Sequence, residues 1–437
     1  MSDTAITTGP NEPSLITRLA HRAAQFSTAA SGIRARWLLF AVFIILTIAR
    51  MPRVFFQGRL WAEEATVFYS HALITPWFSS LFFSYGGYLN FGADLPAVIA
   101  SHLAPLDFAP RITLFFAFAA QICPALLLVT SRAPWLRSKS ALAASLFLLV
   151  AAPAAEEVWL NSIHSQFFLA LCTAFILAVE PESGRREIFR RILLFLAPLY
   201  GLGAIILLPL FALRAALDRS LPRLIQCLIL AASSAFQLIF FFQTFPGRQT
   251  ASIKLVLATI VAKNILQPLS GYSIAQPLIA RLHAALTAGI LPHSVILVLV
   301  LAVLLLLTLL YKAPKDAWWL ALAGGSIALV SYHGALFASP DMIEPHAGNR
   351  YAFVPQVLLA WTLVVIAAQG FKTRAKIATG LVLWLCLVSA QTYCRQDQEF
   401  TNGPKWSLEM AKWHADPTYH PVAWPGGGWI VADTPKP

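Results

Sequence analysis

Long stretches without a single charged side chain constrain this chain more than any other feature. Ile112–Ser131, Val158–Val179, Leu224–Gly247, Leu282–Tyr311, Ala317–Pro340 and Tyr351–Phe371 carry no Asp, Glu, Lys or Arg. Each is near or beyond the roughly 20 apolar residues that cross a bilayer as an α-helix. Inside the hydrocarbon no water satisfies the peptide groups, so a helix, which pairs them within itself, is the expected conformation. Charged residues make up 12% of the chain and hydrophobic ones 58%, about half the charge of a soluble domain. The expected fold class is all-α, a polytopic transmembrane helical bundle, so the lipid bilayer is the first partner.

The net charge of +12 would fit a nucleic-acid binder, but its distribution excludes that partner. The basic residues fall in short clusters between apolar stretches: Arg34/Arg36, Arg132/Arg137/Lys139, Arg185/Arg186/Arg190/Arg191, Arg214/Arg219/Arg223, Lys312/Lys315 and Lys372/Arg374/Lys376. Such clusters mark the cytoplasmic loops of a membrane protein. Most of the 20 acidic residues fall in the alternate loops. This predicts an N-terminus in the cytoplasm and a C-terminus outside. Cys123, Cys172, Cys227 and Cys386 lie in apolar stretches and Cys394 at the edge of one. No Cys-x-x-Cys spacing is present, so apolar filling is their expected role. The first apolar stretch follows a long polar leader with no small-residue cleavage site after it, so no cleavable signal is expected.

Residues 1–36 read as a cytoplasmic tail, 37–394 as one transmembrane domain of about 11 spans, and 395–437 as a tail on the outer side. Residues 52–109 form the first outer loop, whose Trp, Tyr, Phe and Gly content predicts juxtamembrane helices. The stretch 192–213 has basic residues on both flanks. It reads as a hairpin of two half-spans turning at Tyr200-Gly201-Leu202-Gly203, with a single span as the alternative. Residues 246–290 are expected to form a long outer segment carrying Arg248, Lys254, Lys263 and Arg281 on amphipathic turns.

The polar residues of the outer loops are the candidates for chemistry. Glu63 and Glu64 come first, then Tyr85, Tyr88 and Asp94, then Glu156, Glu157, Asn161 and His164. The turn before Tyr351 adds Asp341, Glu344, His346, Asn349 and Arg350. An acid pair at a membrane boundary costs desolvation and self-repulsion, which favours a working role. A carboxylate there can serve as general base toward a hydroxyl, and an arginine can grip a phosphate through two parallel N–H bonds.

Trp61-Ala62-Glu63-Glu64-Ala65, soon after the first span, together with Tyr85-Gly86-Gly87-Tyr88-Leu89 and Asn349-Arg350-Tyr351, resembles the GT-C superfamily of integral-membrane glycosyltransferases. The resemblance implies an inverting transfer of a sugar from a polyprenyl-phosphate donor to a cell-envelope glycan or lipid acceptor on the periplasmic face. Glu63 or Glu64 would be the general base. The other would orient it or, as Glu64, bind a divalent cation (Mg or Mn), since metal need varies among branches. Arg350, Arg281 and Lys263 would meet the donor phosphate, and Tyr85, Tyr88, Glu156, Glu157, Asn161, His164 and Tyr351 the substrates.

Plainer roles compete at each position. The acid pair could be a loop edge paired with Arg53 or Arg59, and Glu156/Glu157 could cap a helix starting near Val158. Tyr85 and Tyr88 could belong to an aromatic belt, and His333 suits packing better than ligation. Two other functions remain open: a flippase or transporter for lipid-linked saccharides, and an O-antigen ligase or polymerase.

Overall fold

The computed structural model describes residues 15–244, 250–335, 339–344, 347–395 and 398–432, so Arg248 and His346 lie outside the described residues. It is all-helical, 77% helix with almost no strand. The main helices are α1 (Leu15–Arg50), α2 (Phe91–His102), α3 (Ala109–Thr130), α4 (Lys139–Ala151), α5 (Ser165–Ala178), α6 (Arg185–Tyr200) and α7 (Leu208–Asp218). They continue with α8 (Leu221–Thr244), α9 (Ile253–Thr287), α10 (His293–Leu310), α11 (Lys315–Ala335), α12 (Asn349–Gln369), α13 (Lys372–Cys394) and α14 (Trp406–Ala415).

Seven helices are long and apolar enough to cross a membrane, the pattern of a multi-pass membrane protein. They are the second half of α1, α3 with the turn before it, α8, α9, α10, α12 and α13. Helices α6 and α7 pass the same test only together, and they meet at a bend of 119°. The chain thus breaks where the hairpin was expected. Gly201 has φ 154°, and a Cβ there would stand 2.1 Å from Gln166 Oε1. Helices α4 and α5 are apolar but short, so the expected count of about 11 spans exceeds what length and composition support.

Burial separates centre from rim. Helix α12 has 78% of its most apolar window buried and α10 only 17%. Leu297, Leu301 and Leu304 of α10 point outward, as suits a lipid-facing helix. At the centre, α5 buries 13 of its 14 residues against α3, α6, α11 and α12. A helix of 14 residues reaches only about 21 Å, and its last carbonyls end inside protein. Arginines satisfy them: Arg214 donates to Leu177 O and Ala178 O, and Arg223 to Ile176 O (3.2 Å) and Val179 O (2.6 Å). Arg36 does the same for α3, donating to Leu128 O, Val129 O and Ser131 O at 2.7–2.9 Å. The basic clusters therefore gather at one end of the bundle and close its helix C-termini.

Two expectations fail. Over 253–287 the chain is not a run of amphipathic surface turns: α9 is helical on both sides of a kink at Gly271 (φ 71°, ψ 171°), and 56% of its best window is buried. No helix begins at Val158 either. Residues 152–164 form turns, and α5 starts at Ser165. The expected outer tail is folded too. Ala62 N donates to Trp424 O at 2.5 Å and Trp424 N to Leu60 O at 2.9 Å, so the C-terminal segment pairs with residues 60–62. His333 is a packing residue, its Nδ1 2.9 Å from Ala251 O. All five cysteines are unpaired.

Candidate active site

A cavity of about 600 Å3 opens at the end of the bundle opposite the arginine clusters. Its walls come from residues 61–68 with the Tyr85–Tyr88 hairpin and Asn90, from residues 157–167, from Ala335 and Met342, from the turn 347–351, and from the C-terminal segment. The site residues that line it are Glu63, Tyr85, Tyr88, Glu157, His164, Arg350 and Tyr351.

The two adjacent acids part company here. Glu63 is half-buried, lines the cavity, and has no hydrogen-bond or ion-pair partner among the described residues. Glu64 is 3% exposed and faces the protein. Its Oε2 accepts from Trp61 N at 2.8 Å, and its Oε1 from Ser162 N at 2.7 Å and Ser162 Oγ at 2.5 Å. It therefore ties residues 61–64 to Ser162, with both carboxylate oxygens engaged inside the protein. Burial raises its carboxyl pKa, with the Ser162 and Trp61 hydrogen bonds and the Arg59 charge opposing. Neither acid pairs with Arg53 or Arg59. Arg53 donates to Asn402 Oδ1 at 3.0 Å, and buried Arg59 to Phe400 O at 2.7 Å and Trp159 O at 2.6 Å.

Tyr85 and Tyr88 face each other across a two-residue turn. Gly86 and Gly87 have φ 65° and 85°, the left-handed pair a tight hairpin requires. Tyr85 packs edge-on against Phe68 at 5.7 Å. Burial and the Glu63 charge both raise its pKa, which puts the phenol in the field of that carboxylate.

Glu157 holds the opposite wall. Its side chain accepts from Arg350 NH1 and, at 3.0 Å, from Arg350 N. Burial would raise this carboxyl, but the Arg350 charge and hydrogen bonds leave it below the usual value. The guanidinium of Arg350 stays 32% exposed and lies 5.0 Å from the Tyr351 ring centre. His164 Nδ1 lies 2.9 Å from Glu157 O. A carbonyl only accepts, so Nδ1 carries the proton and Nε2 keeps its lone pair. Burial lowers this imidazole to about 4, so it is neutral at neutral pH.

The remaining candidates lie elsewhere. Lys263 is 1% exposed, and its Nζ donates to Glu344 O, Ala347 O and Asn349 Oδ1 at 2.5–2.9 Å. All three N–H groups are used, so Lys263 pins the turn before Arg350 and has none left for a phosphate. Arg281 is exposed and away from the cavity. Asn161 is buried, its Oδ1 accepting from Ile163 N at 3.2 Å, and Glu156 does not line the cavity. Among the described residues there is no preformed protein cage for a divalent cation. Both Glu64 oxygens are engaged, and among the described residues no three His, Cys, Asp or Glu side chains come together. Sequence reasoning missed Ser162, the Phe400 and Trp159 carbonyl partners of Arg59, and the C-terminal Phe400, Pro425 and Trp429 of the cavity wall; the Trp- and Pro-rich composition of the last segment was the one signal for the C-terminal residues.

No family model, curated protein or solved structure matches this chain.

Proposed function

We propose that this chain is a GT-C-like glycosyltransferase that moves a sugar from a polyprenyl-phosphate donor to a cell-envelope glycan or lipid acceptor on the periplasmic face. One observation carries the reading. An unpaired carboxylate, Glu63, and a held but partly exposed guanidinium, Arg350, share one aromatic-walled cavity. Glu63 accepts the proton of an acceptor hydroxyl as that oxygen attacks the anomeric carbon from the face opposite the phosphate. The bond from the anomeric carbon to the phosphate oxygen breaks, and polyprenyl phosphate leaves. Arg350 meets the charge that develops on the leaving phosphate, and the anomeric configuration inverts.

A lipid-linked donor also needs an apolar slot beside its headgroup. A groove of about 380 Å3 runs among α9, α10, α11 and α12, with Ile260, Leu299, Leu306, Gly324, Gly325 and Pro355 in its walls. Asn264 lines it, and the neighbouring Lys263 holds the turn leading to Arg350. The groove thus supports a donor whose chain lies in the bundle while its phosphate reaches the cavity.

The test is covalent chemistry without a gradient. Detergent-solubilised protein is given undecaprenyl phosphate carrying a radiolabelled sugar, with envelope extract as acceptor. The proposal expects label in a new glycan or glycolipid and release of undecaprenyl phosphate. A flippase would make no product, and that outcome would overturn the assignment.

A further inference from the structure

The C-terminal segment reaches the reacting end of the cavity, and its arrangement assigns it a purpose. Residues 422–430 form a narrow loop closed at its base by the Val422–Ile430 bridge and by Ala423 N donating to Trp429 O at 2.8 Å. The limb carrying Trp424 is fixed. That ring is 4% exposed, its Nε1 donates to Pro404 O at 2.8 Å, and its backbone pairs with Leu60 and Ala62, the latter next to Glu63. The other limb is of a different kind. Gly426, Gly427 and Gly428 have φ 103°, 67° and 106°, and a Cβ on any of them would meet no atom within 4 Å. These three left-handed residues carry Trp429, which lines the cavity and is 36% exposed.

Trp429 and Glu63 line the same cavity, and the tryptophan keeps 36% of its surface exposed there. A pyranose ring matches such a place. Its axial C–H bonds form an apolar face for an indole, while its hydroxyls at the rim meet a carboxylate acceptor and a neutral imidazole. We propose that the C-terminal loop forms the acceptor-side subsite, with Trp429 stacking on a pyranose of the acceptor glycan and Glu63 receiving the proton of its attacking hydroxyl. The acceptor is placed on this side because the loop is bonded to the residues flanking the base, whereas the phosphate-binding Arg350 is held by Glu157. This inference rests on the glycosyltransferase reading for the word acceptor, but the sugar platform itself is tested without turnover.

The experiment is saturation-transfer NMR on the full chain in nanodiscs free of glycosidic detergent, with the methyl glycosides of glucose, galactose, mannose and N-acetylglucosamine as probes. At least one should receive saturation on its ring C–H protons. Trp429→Ala should cut that signal at least about fivefold, the size expected for losing one aromatic contact. Trp429→Phe should retain most of it, and Trp77→Ala, at an exposed tryptophan outside the cavity, should change nothing. An unchanged thermal midpoint in Trp429→Ala excludes misfolding as the cause. No saturation of any glycoside by the wild type, or wild-type saturation in Trp429→Ala, would overturn the subsite. Glycoside binding without sugar transfer would instead sink the glycosyltransferase reading and leave the platform standing.

Discussion

Glu63 and Glu64 are neighbours in sequence with opposite environments. Successive positions on a helical turn point about 100° apart, so one acid of the pair meets the cavity and the other the backbone of 162. Composition and spacing show two adjacent acids soon after the first apolar helix, but which one faces inward depends on Ser162, far along the chain. Glu64→Ala should destabilise the protein by about 3 kcal/mol, because three buried donors lose their acceptor. Glu64→Gln, which keeps an acceptor for Ser162, should cost about 1 kcal/mol; thermal unfolding checks both. Glu157 gives a pH signature. A carboxyl whose pKa is lowered by folding stabilises above its unfolded value, and that contribution disappears as the pH falls through its native pKa. The unfolded value is near 4.5. Glu157→Gln should therefore be less stable than wild type by about 2 kcal/mol at neutral pH, discounted for the exposure of Arg350. The gap should close as the pH falls below 4.5 and through the native pKa of Glu157, read from unfolding measurements. A gap that does not change with pH would deny the ion pair its role.

At the level of elements, uncharged runs located α3, α5, α8, α10 and α12, since a lipid-facing or fully buried helix shows itself in composition alone. They misread α9. Its Lys254, Lys263 and Arg281 resemble loop charges, and no local pattern reveals that Lys263 finds three acceptors in a turn some eighty residues later. Lys263→Met should raise hydrogen exchange in 347–350 and lower the affinity for donor indirectly, by freeing Arg350. If Lys263 instead gripped phosphate, donor affinity would fall while exchange stayed unchanged. The break between α6 and α7 was legible because Tyr200-Gly201-Leu202-Gly203 concentrates glycine between two basic flanks. Gly201→Ala should destabilise by about 1–3 kcal/mol, read from thermal unfolding, because its backbone is left-handed and Gln166 occupies the space of a new Cβ.

For the whole molecule, charge asymmetry predicted two ends, and the chain indeed gathers its arginine clusters at one end and the cavity with Glu63 and Arg350 at the other. The arginines also close helix termini, a role that counting charges does not reveal. What stayed hidden was the return of the C-terminal segment to residues 60–62, because such pairing rests on backbone groups at Leu60, Ala62 and Trp424 and not on any side-chain pattern. With Cys394, the one exposed native thiol, replaced by Ser, Ser183→Cys should react only with reagents reaching the cytoplasm. Gly427→Cys should react with an impermeant maleimide added outside intact cells. The reverse labelling would invert the proposed orientation.

The most direct test of the central claim is the rate at which undecaprenyl phosphate is released from its sugar by wild type and by Glu63→Gln, with both proteins matched for thermal midpoint. A general base contributes about 100-fold or more, so the account predicts at least that loss in Glu63→Gln. Release by Glu63→Gln at the wild-type rate would contradict it.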